Sequence, residues 1–365
     1  MTKIEEYFSK VTDPRSRYRC KHLLSDILLI GLCTYLSNGE DYEDMVIFGK
    51  TKGKLLPELL QLPHGVPSHD TFNRVFQLID SQSFMNCLTA HGLDILDILA
   101  QKQIAIDGKK LRGVSPLSRG NQGLYIVNAW VSENCLCVGQ AKVEAKSNEI
   151  VAIPNLLKAI DLTDAVVSID AIGCQSAIAK QIKAQGGHYL LAVKANQKEL
   201  LEEIECGFKA NKPFCVQQDW EYAHGRYEIR KCSIVLAKDA IDQELIANWE
   251  GVQTIIKIEA TRSIKDKISK ETRYYISDEN EANAQYFNNL ARGHWGIENH
   301  LHWHLDVTFN EDDCRARRGN APQNLASLRK LALQIINQQN DKLSLKKRRV
   351  KAAFDIDYLK NLLKI

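Results

Sequence analysis

No stretch of this sequence stays apolar for the ~18 residues that a membrane-spanning helix needs. The opening MTKIEEYFSKVTDPRSRYRC lacks the hydrophobic centre of a secretory signal, so the chain is expected to stay inside the cell, in the cytoplasm. Ten cysteines are present, yet no two have CxxC spacing, which removes zinc ribbons and thioredoxin-like redox motifs. Only Cys135 and Cys137 are close, and they are expected on one face of a strand. The others are scattered, often singly within apolar runs, the pattern of buried reduced thiols. There is no internal repeat and no low-complexity linker. Net charge is only +3, too little to argue for a partner. What remains is a 365-residue chain, 44% hydrophobic and 25% charged: an ordinary globular composition with room for two or three domains.

The placement of charge says more than its sum. Lys109, Lys110 and Arg112 form one basic cluster, and Arg315, Arg317 and Arg318 another. Lys346, Lys347, Arg348, Arg349 and Lys351 form a third, in a basic tail over residues 341–365. A single cluster is commonly a solvated face, but three in a nearly neutral protein fit a polyanionic partner.

Residues 1–95 read as a helical domain. HLLSDILLIGLCTYLSNG carries a long apolar helix stopped at Asn38-Gly39, and Ser68 or Asp70 can cap the helix that follows. Such a unit, with Arg74 in it, is either a helix-turn-helix DNA reader or a packing and dimerisation element.

From residue 96 to 200 the pattern becomes strand, strand, strand, helix, strand, helix, strand. QIAIDG reads as a short buried strand ending in Asp-Gly; GLYIVNAWVSENCLCVGQAKVEA reads as a hairpin turning at Ser132 to Asn134. AVVSIDAIG and HYLLAVKANQ are apolar strands, each preceded by a helix. Apolar strands alternating with helices imply a partly parallel sheet covered on both faces, while the hairpin is antiparallel. The expected fold is therefore α/β: a mixed sheet in the ribonuclease H arrangement, flanked by helices. Residues 201–281 are expected to form a β-rich insertion, and helices return over 282–340.

In that strand order the first and fourth strands are neighbours, which brings Asp107 and Asp170 together. Each also has an ordinary use, in an Asp-Gly turn or as a helix N-cap. Side by side, the two carboxylates repel unless a cation lies between them. Mg²⁺ (or Mn²⁺), a hard ion that prefers oxygen, suits such a pair. A third acid from a later helix would complete a centre for two ions.

GHWGIENHLHWHLDVTFNEDD, residues 293–313, is the place to seek it. At 100° per residue Glu298, His302 and Leu305 share one side, with His294 and Leu301 close by. His300 and His304 lie roughly opposite and can form a zinc pair, but they lack the HExxH glutamate and a third ligand. Glu298 shares its face with leucines, where a charge without a cation would be costly. Asp306 lies eight residues on, ~12 Å by helical rise, too far to share an ion with Glu298, and is held in reserve.

IAIDGKKLRG, VVSIDAIGCQ, LLAVKANQ, HGRYEIR and ARGHWGIENHLHWHLDVTFNEDDCRARRGNAPQNLASLRKLAL occur together and in order. This set resembles the DDE transposases of bacterial insertion sequences, specifically the ISAs-type group with the H-repeat-associated proteins. DPRSRYRCKHLLSDILLIGL and GVPSHDTFNRVF resemble the N-terminal associated domain of that group. The resemblance implies an acidic triad of Asp107, Asp170 and Glu298 holding two Mg²⁺ ions. It implies DNA as partner, cleavage and strand transfer at element ends, and at least a transient homodimer. Lys109, Lys110, Arg112, Lys194, Arg226, Arg230, Arg315, Arg317 and Arg318 become candidate DNA-backbone contacts. A transposase-derived protein without activity, and a nuclease of the same fold without strand transfer, are the alternatives. One departure is plain: relatives often carry Y-x₂-R-x₃-E-x₆-K around the glutamate, and here those positions hold Ala291, His294 and Leu305.

Overall fold

A computed structural model describes residues 3–16, 20–96, 99, 101–114, 124–143, 149–223, 225–265, 267–280 and 283–363. The expected boundary between residues 95 and 96 adjoins residues 97, 98 and 100, which lie outside the described ones.

Five helices come first: α1 (Lys3–Ser9), α2 (Leu24–Leu36), α3 (Tyr42–Lys52), α4 (His69–Leu78) and α5 (Ser81–Ile95). Short polar side chains start three of them. Asp41 accepts from the Glu43 and Asp44 N–H groups, Ser68 from Thr71, and Asp80 from Ser83, each satisfying an amide that the first helical turn leaves free. Of the two expected caps for α4, Ser68 is the one used. Helix α2 is buried on every side, as a helix apolar all round must be. Its cover includes α12 (Ala321–Asn337), likewise enclosed. One continuous core joins the N-terminal helices to α12 and to Ile297, Leu301, Leu305 and Phe309. The N-terminal helices are thus packed into that shared core.

The strands are β1 (Gln103–Leu111), β2 (Leu124–Val131), β3 (Leu136–Val143), β4 (Val166–Ile169), β5 (His188–Val193), β6 (Cys215–Ala223), β7 (Arg226–Leu236), β8 (Thr254–Ile264) and β9 (Lys267–Ser277). Helices α6 (Glu149–Lys158), α7 (Ser176–Ala184) and α8 (Lys198–Ala210) fall between the middle strands. Short α9 (Ala237–Ala240) and α10 (Gln243–Ala247) precede β8, and α11 (Ala284–His294) follows β9. The chain closes with α13 (Leu345–Phe354) and α14 (Ile356–Leu363).

All nine strands form one sheet in the order β3-β2-β1-β4-β5-β9-β8-β7-β6. β1, β4 and β5 run parallel; β2 pairs antiparallel with β1, and β3 antiparallel with β2. Those five strands are the RNase H-like arrangement that the sequence pattern implies. The four strands of the 201–281 segment extend the same sheet: β9 pairs antiparallel with β5 from Leu190↔Ser277 to Val193↔Tyr274. Side-chain alternation sorts the faces. Ile104 and Ile106 join the core beneath α6, α7 and α8, while Ala105 joins the core of α12 and the N-terminal helices.

Several expectations need correction. Asp107 does not close its strand; β1 runs on through Gly108 to Leu111, because β2 continues to pair with it after β4 has ended. Cys135 does not share a strand face with Cys137: it lies in the turn with φ +54°, and only Cys137 is on β3. All ten cysteines are thiols. The third basic cluster is not a free tail but part of α13. Arg349 is buried there and donates to the carbonyls of Tyr35, Gly39 and Thr308, tying α13 to the end of α2. Arg348 meets Asp341 and the Ile336 carbonyl.

Candidate active site

The register of β1 lays a polar line along one sheet face. Gln103, Asp107 and Lys109 alternate onto the side of Ala105, under the helix that begins with α11. Gln103 donates to Ser168 Oγ at 2.8 Å and to the Leu290 carbonyl at 2.7 Å. On β4, Ser168 bonds His294 Nδ1 at 3.1 Å, and its i+2 neighbour is Asp170. Ile106 pairs with Ile169, so Asp107 and Asp170 stand next to one another where β4 ends. Asp170 also accepts from the Ile172 and Gly173 N–H groups at 3.1 and 3.4 Å. Its two expected uses, capping and adjacency to Asp107, coexist.

After α11 the helix widens. Over Ile297–His302 and His304–Thr308 it is π-helical, with Trp303 N–H bonding the Glu298 carbonyl and Phe309 N–H that of His304. Ile297, Leu301, Leu305 and Phe309 are fully enclosed at strict four-residue spacing. In an α-helix each four-residue step would advance 40°, so that face would wander; wider turns keep it on the core. π turns are rare and gather at functional sites. Here they reset the expected wheel. Glu298 does not lie among leucines; its side chain is 53% exposed, at the edge of the site.

Glu298 and His302, four apart, stay together. His302 Nδ1 is 3.6 Å from Glu298 Oε2 and 3.5 Å from Asp107 Oδ2. Ligand-capable atoms of Asp107, Glu298 and His302 lie within 4.8 Å of one another, the one such group of three among the described residues. Burial, then the charges of Asp170 and Glu298, push Asp107 up to about 8. The His302 imidazole beside it holds Glu298 below the usual range. Glu149, at the start of α6, is raised by burial and then by Asp170. It abuts Gly108, where a Cβ would lie 2.3 Å from its Oε1. His302 and Glu149 were absent from the expected set. The i, i+4 spacing to Glu298 was the signal for His302; nothing local pointed to Glu149.

The zinc pair finds no third ligand among the described residues. His300 is exposed, and His304 bonds Thr308 Oγ1 at 3.0 Å.

The basic candidates divide. Lys109 is not free to meet phosphate: it is buried and paired with Asp306 at 2.5 Å, Glu311 at 3.4 Å and Asp312 at 3.8 Å. Burial opposes its charge, but Glu311 and then Asp306 more than offset that and raise its pKa. Asp306 is therefore engaged away from Glu298. Lys110 and Arg112 are exposed, Lys110 over the Tyr125 ring and Arg112 near Asp312. Lys194 is exposed just beyond β5, at the sheet edge that carries Asp170. Arg226 and Arg230 face the same way, as four-residue spacing on a strand requires, and with Arg262 surround the buried Glu228. Arg315, Arg317 and Arg318 are exposed and line a cavity of about 710 Å³ against α3 and α4.

Two central parallel strands deliver adjacent carboxylates, and a helix across the same face adds a third. That combination defines an RNase H-like protein with an acidic site. More narrowly, the chain belongs to the DDE transposase family. Residues 99–335 match the family described as transposase DDE domain, and residues 5–91 the one described as DDE_Tnp_1-associated. It is 36% identical over 377 residues to the Escherichia coli K12 protein named "H repeat-associated putative transposase YhhI", covering 100% of this chain and 98% of that one. The "Putative transposase YncI" of Escherichia coli O157:H7 is 35% identical over 370 residues, 98% of this chain and 93% of the relative. A shorter relative, "Inactive transposase YbfQ" of Escherichia coli K12, is 37% identical over 75 residues, 20% of this chain and 89% of its own. Membership implies action on DNA with a divalent metal. Among the described residues no helix is long and apolar enough to cross a membrane.

Proposed function

We propose that this protein is an active transposase that cuts DNA at the ends of an insertion sequence and joins the freed 3′ end to a target, with Asp107, Asp170 and Glu298 as its catalytic carboxylates. The observation that carries the reading is Asp107: Glu298 and His302 offer ligand atoms within 4.8 Å of it, and Asp170 follows the β4 residue paired next to it. Its carboxyl is pushed up to about 8 by burial and by Asp170 and Glu298, so near neutral pH it is largely protonated unless a cation favours the charged form. The donors are hard oxygens, which fit Mg²⁺ or Mn²⁺ better than zinc. Asp107 and Asp170 would hold two ions jointly, and Glu298 would complete one of them. When bound, such ions activate water or a 3′-hydroxyl and stabilise the leaving oxygen of an in-line displacement.

The chain supplies the rest. The β1–β4 register fixes the spacing of Asp107 and Asp170. Glu298, half out in solvent, is placed where a DNA strand can approach. Lys194, Lys110, Arg112 and the Arg315–Arg318 cluster are exposed and suited to holding phosphates, which makes binding fall steeply with salt. Arg226 and Arg230 reach DNA only in so far as Glu228 leaves them free. Joining two ends requires two copies at least transiently, in the bacterial cytoplasm where the DNA lies.

The test uses DNA flanking the gene itself, with Mg²⁺ or Mn²⁺. The wild type is expected to nick it and to form joined product. Asp107→Ala should lose both activities and keep DNA binding. Nicks without joining would reduce the protein to a nuclease; cleavage that survives Asp107→Ala would remove the site.

A further inference from the structure

Lys330 is a buried ammonium that none of the acidic chemistry above uses. It lies on α12, 2% exposed, and no described carboxylate is within salt-bridge reach. Its Nζ donates instead to two carboxamide oxygens, Asn128 Oδ1 and, at 2.5 Å, Gln140 Oε1. Burial lowers its pKa and the charge of Glu311 offsets that only in part, so an ammonium enclosed here calls for a use.

The sheet register shows what it serves. Asp107, Asn128 and Gln140 are directly opposed on β1, β2 and β3, a row across the face beneath α12 and the π-helical segment. Lysine has only donors, so the Asn128 atom facing it must be the oxygen. The amide nitrogen is thereby turned the other way, toward His302 Nε2 at 3.5 Å and the Ile126 carbonyl at 3.3 Å. A donor aimed at Nε2 requires its lone pair, so the imidazole proton belongs on Nδ1. Nδ1 is the atom that faces Asp107 Oδ2 and Glu298 Oε2. Gln140 is fixed in the same sense, its nitrogen donating to Ser327 Oγ at 2.6 Å.

We infer that His302 is a positioning residue and not a metal ligand: a relay from Lys330 through Asn128 fixes it as an Nδ1–H donor that holds the Asp107 and Glu298 carboxylates toward each other. A ligand would need a lone pair on Nδ1, which this relay denies it. The inference rests on the proposed role of those carboxylates, but the tautomer itself does not.

The experiment is ¹⁵N–¹H correlation spectroscopy of the full chain labelled at histidine, with His302 assigned by its disappearance in His302→Gln. Spectra are recorded without metal and with Mg²⁺ added. Metal-free protein is expected to show His302 protonated at Nδ1 and bare at Nε2, and Mg²⁺ should leave that pattern in place while shifting neighbouring signals. Asn128→Asp presents an acceptor to Nε2 and a counter-charge to Lys330, so it keeps the packing and should move the proton to Nε2. Mg²⁺ affinity should then fall about 10- to 100-fold, the range for lost outer partners of metal ligands. Lys330→Met should leave His302 a mixture of tautomers; if it does not fold, Asn128→Asp still decides. A proton on Nε2 in the wild type overturns the inference, as does loss of the Nδ1 proton on Mg²⁺ addition, which would make His302 a ligand. If Mg²⁺ shifts nothing near the site, the metal-dependent function fails instead, while the metal-free tautomer still decides the relay.

Discussion

Asp107 gives the sharpest prediction, because its carboxyl is raised from 3.8 to about 8 and its side chain is only 16% exposed. Between those two values the metal-free folded protein keeps a proton on Asp107 that the unfolded chain has released. The folded state therefore binds more protons, and this group's contribution to stability is present at low pH and lost as pH rises toward 8. The slope is about 1.4 kcal/mol per pH unit, so from pH 5.5 to 7.5 the metal-free protein loses about 2–3 kcal/mol through this residue. His91, His294 and His304 act in the opposite sense. Burial lowers each to about 4, so their contribution grows as pH rises from 4 toward 6.5. Asp107→Asn retains those histidines and removes the carboxyl, so the difference between the two proteins isolates Asp107. Urea unfolding in a chelator at pH 5.5, 6.5 and 7.5 should show the variant gaining on the wild type by about 2–3 kcal/mol over the range. Mg²⁺ should reverse the order at pH 7.5, because only the wild type gains an ion bound to its folded state. Parallel pH profiles for the two proteins without metal would refute the reasoning that Asp107 is held protonated by its neighbours.

Two further outcomes follow from contacts around that strand. Lys109→Met strips the counter-charge from Asp306 and the buried Glu311 and should cost about 3–5 kcal/mol in urea unfolding; a loss under 1 kcal/mol would return Lys109 to the pool of phosphate contacts. Gly108→Ala would put a Cβ within 2.3 Å of Glu149 Oε1, the end of a flexible side chain that can swing aside, so it should cost under about 1 kcal/mol; a larger loss in urea unfolding that Glu149→Ala does not relieve would disprove that the carboxylate is what the methyl meets.

The sequence by itself determined the elements and their order. Alternation and apolar runs identified the strands, glycines and capping residues bounded the helices, and the parallel pattern placed Asp107 beside Asp170, as the Ile106↔Ile169 pairing has it. Such features are legible because they depend on neighbours a few residues away, where the periods of helix and strand hold. The fate of the charges was not legible in this way. Lys109 read as basic surface and became the buried partner of Asp306, 197 residues distant. Arg349 read as tail and became a clamp on the Tyr35 carbonyl, 314 residues away. Glu298 read as one of a leucine face, until π turns moved that face past it. In each case the surroundings of an ionic side chain are set by segments far away in the chain, and only the closed fold determines which carboxylate, carbonyl or solvent it meets. The row Asp107, Asn128, Gln140 and the Lys330 above it belong with these: tertiary structure made them neighbours, by laying β1, β2 and β3 in register and α12 across them.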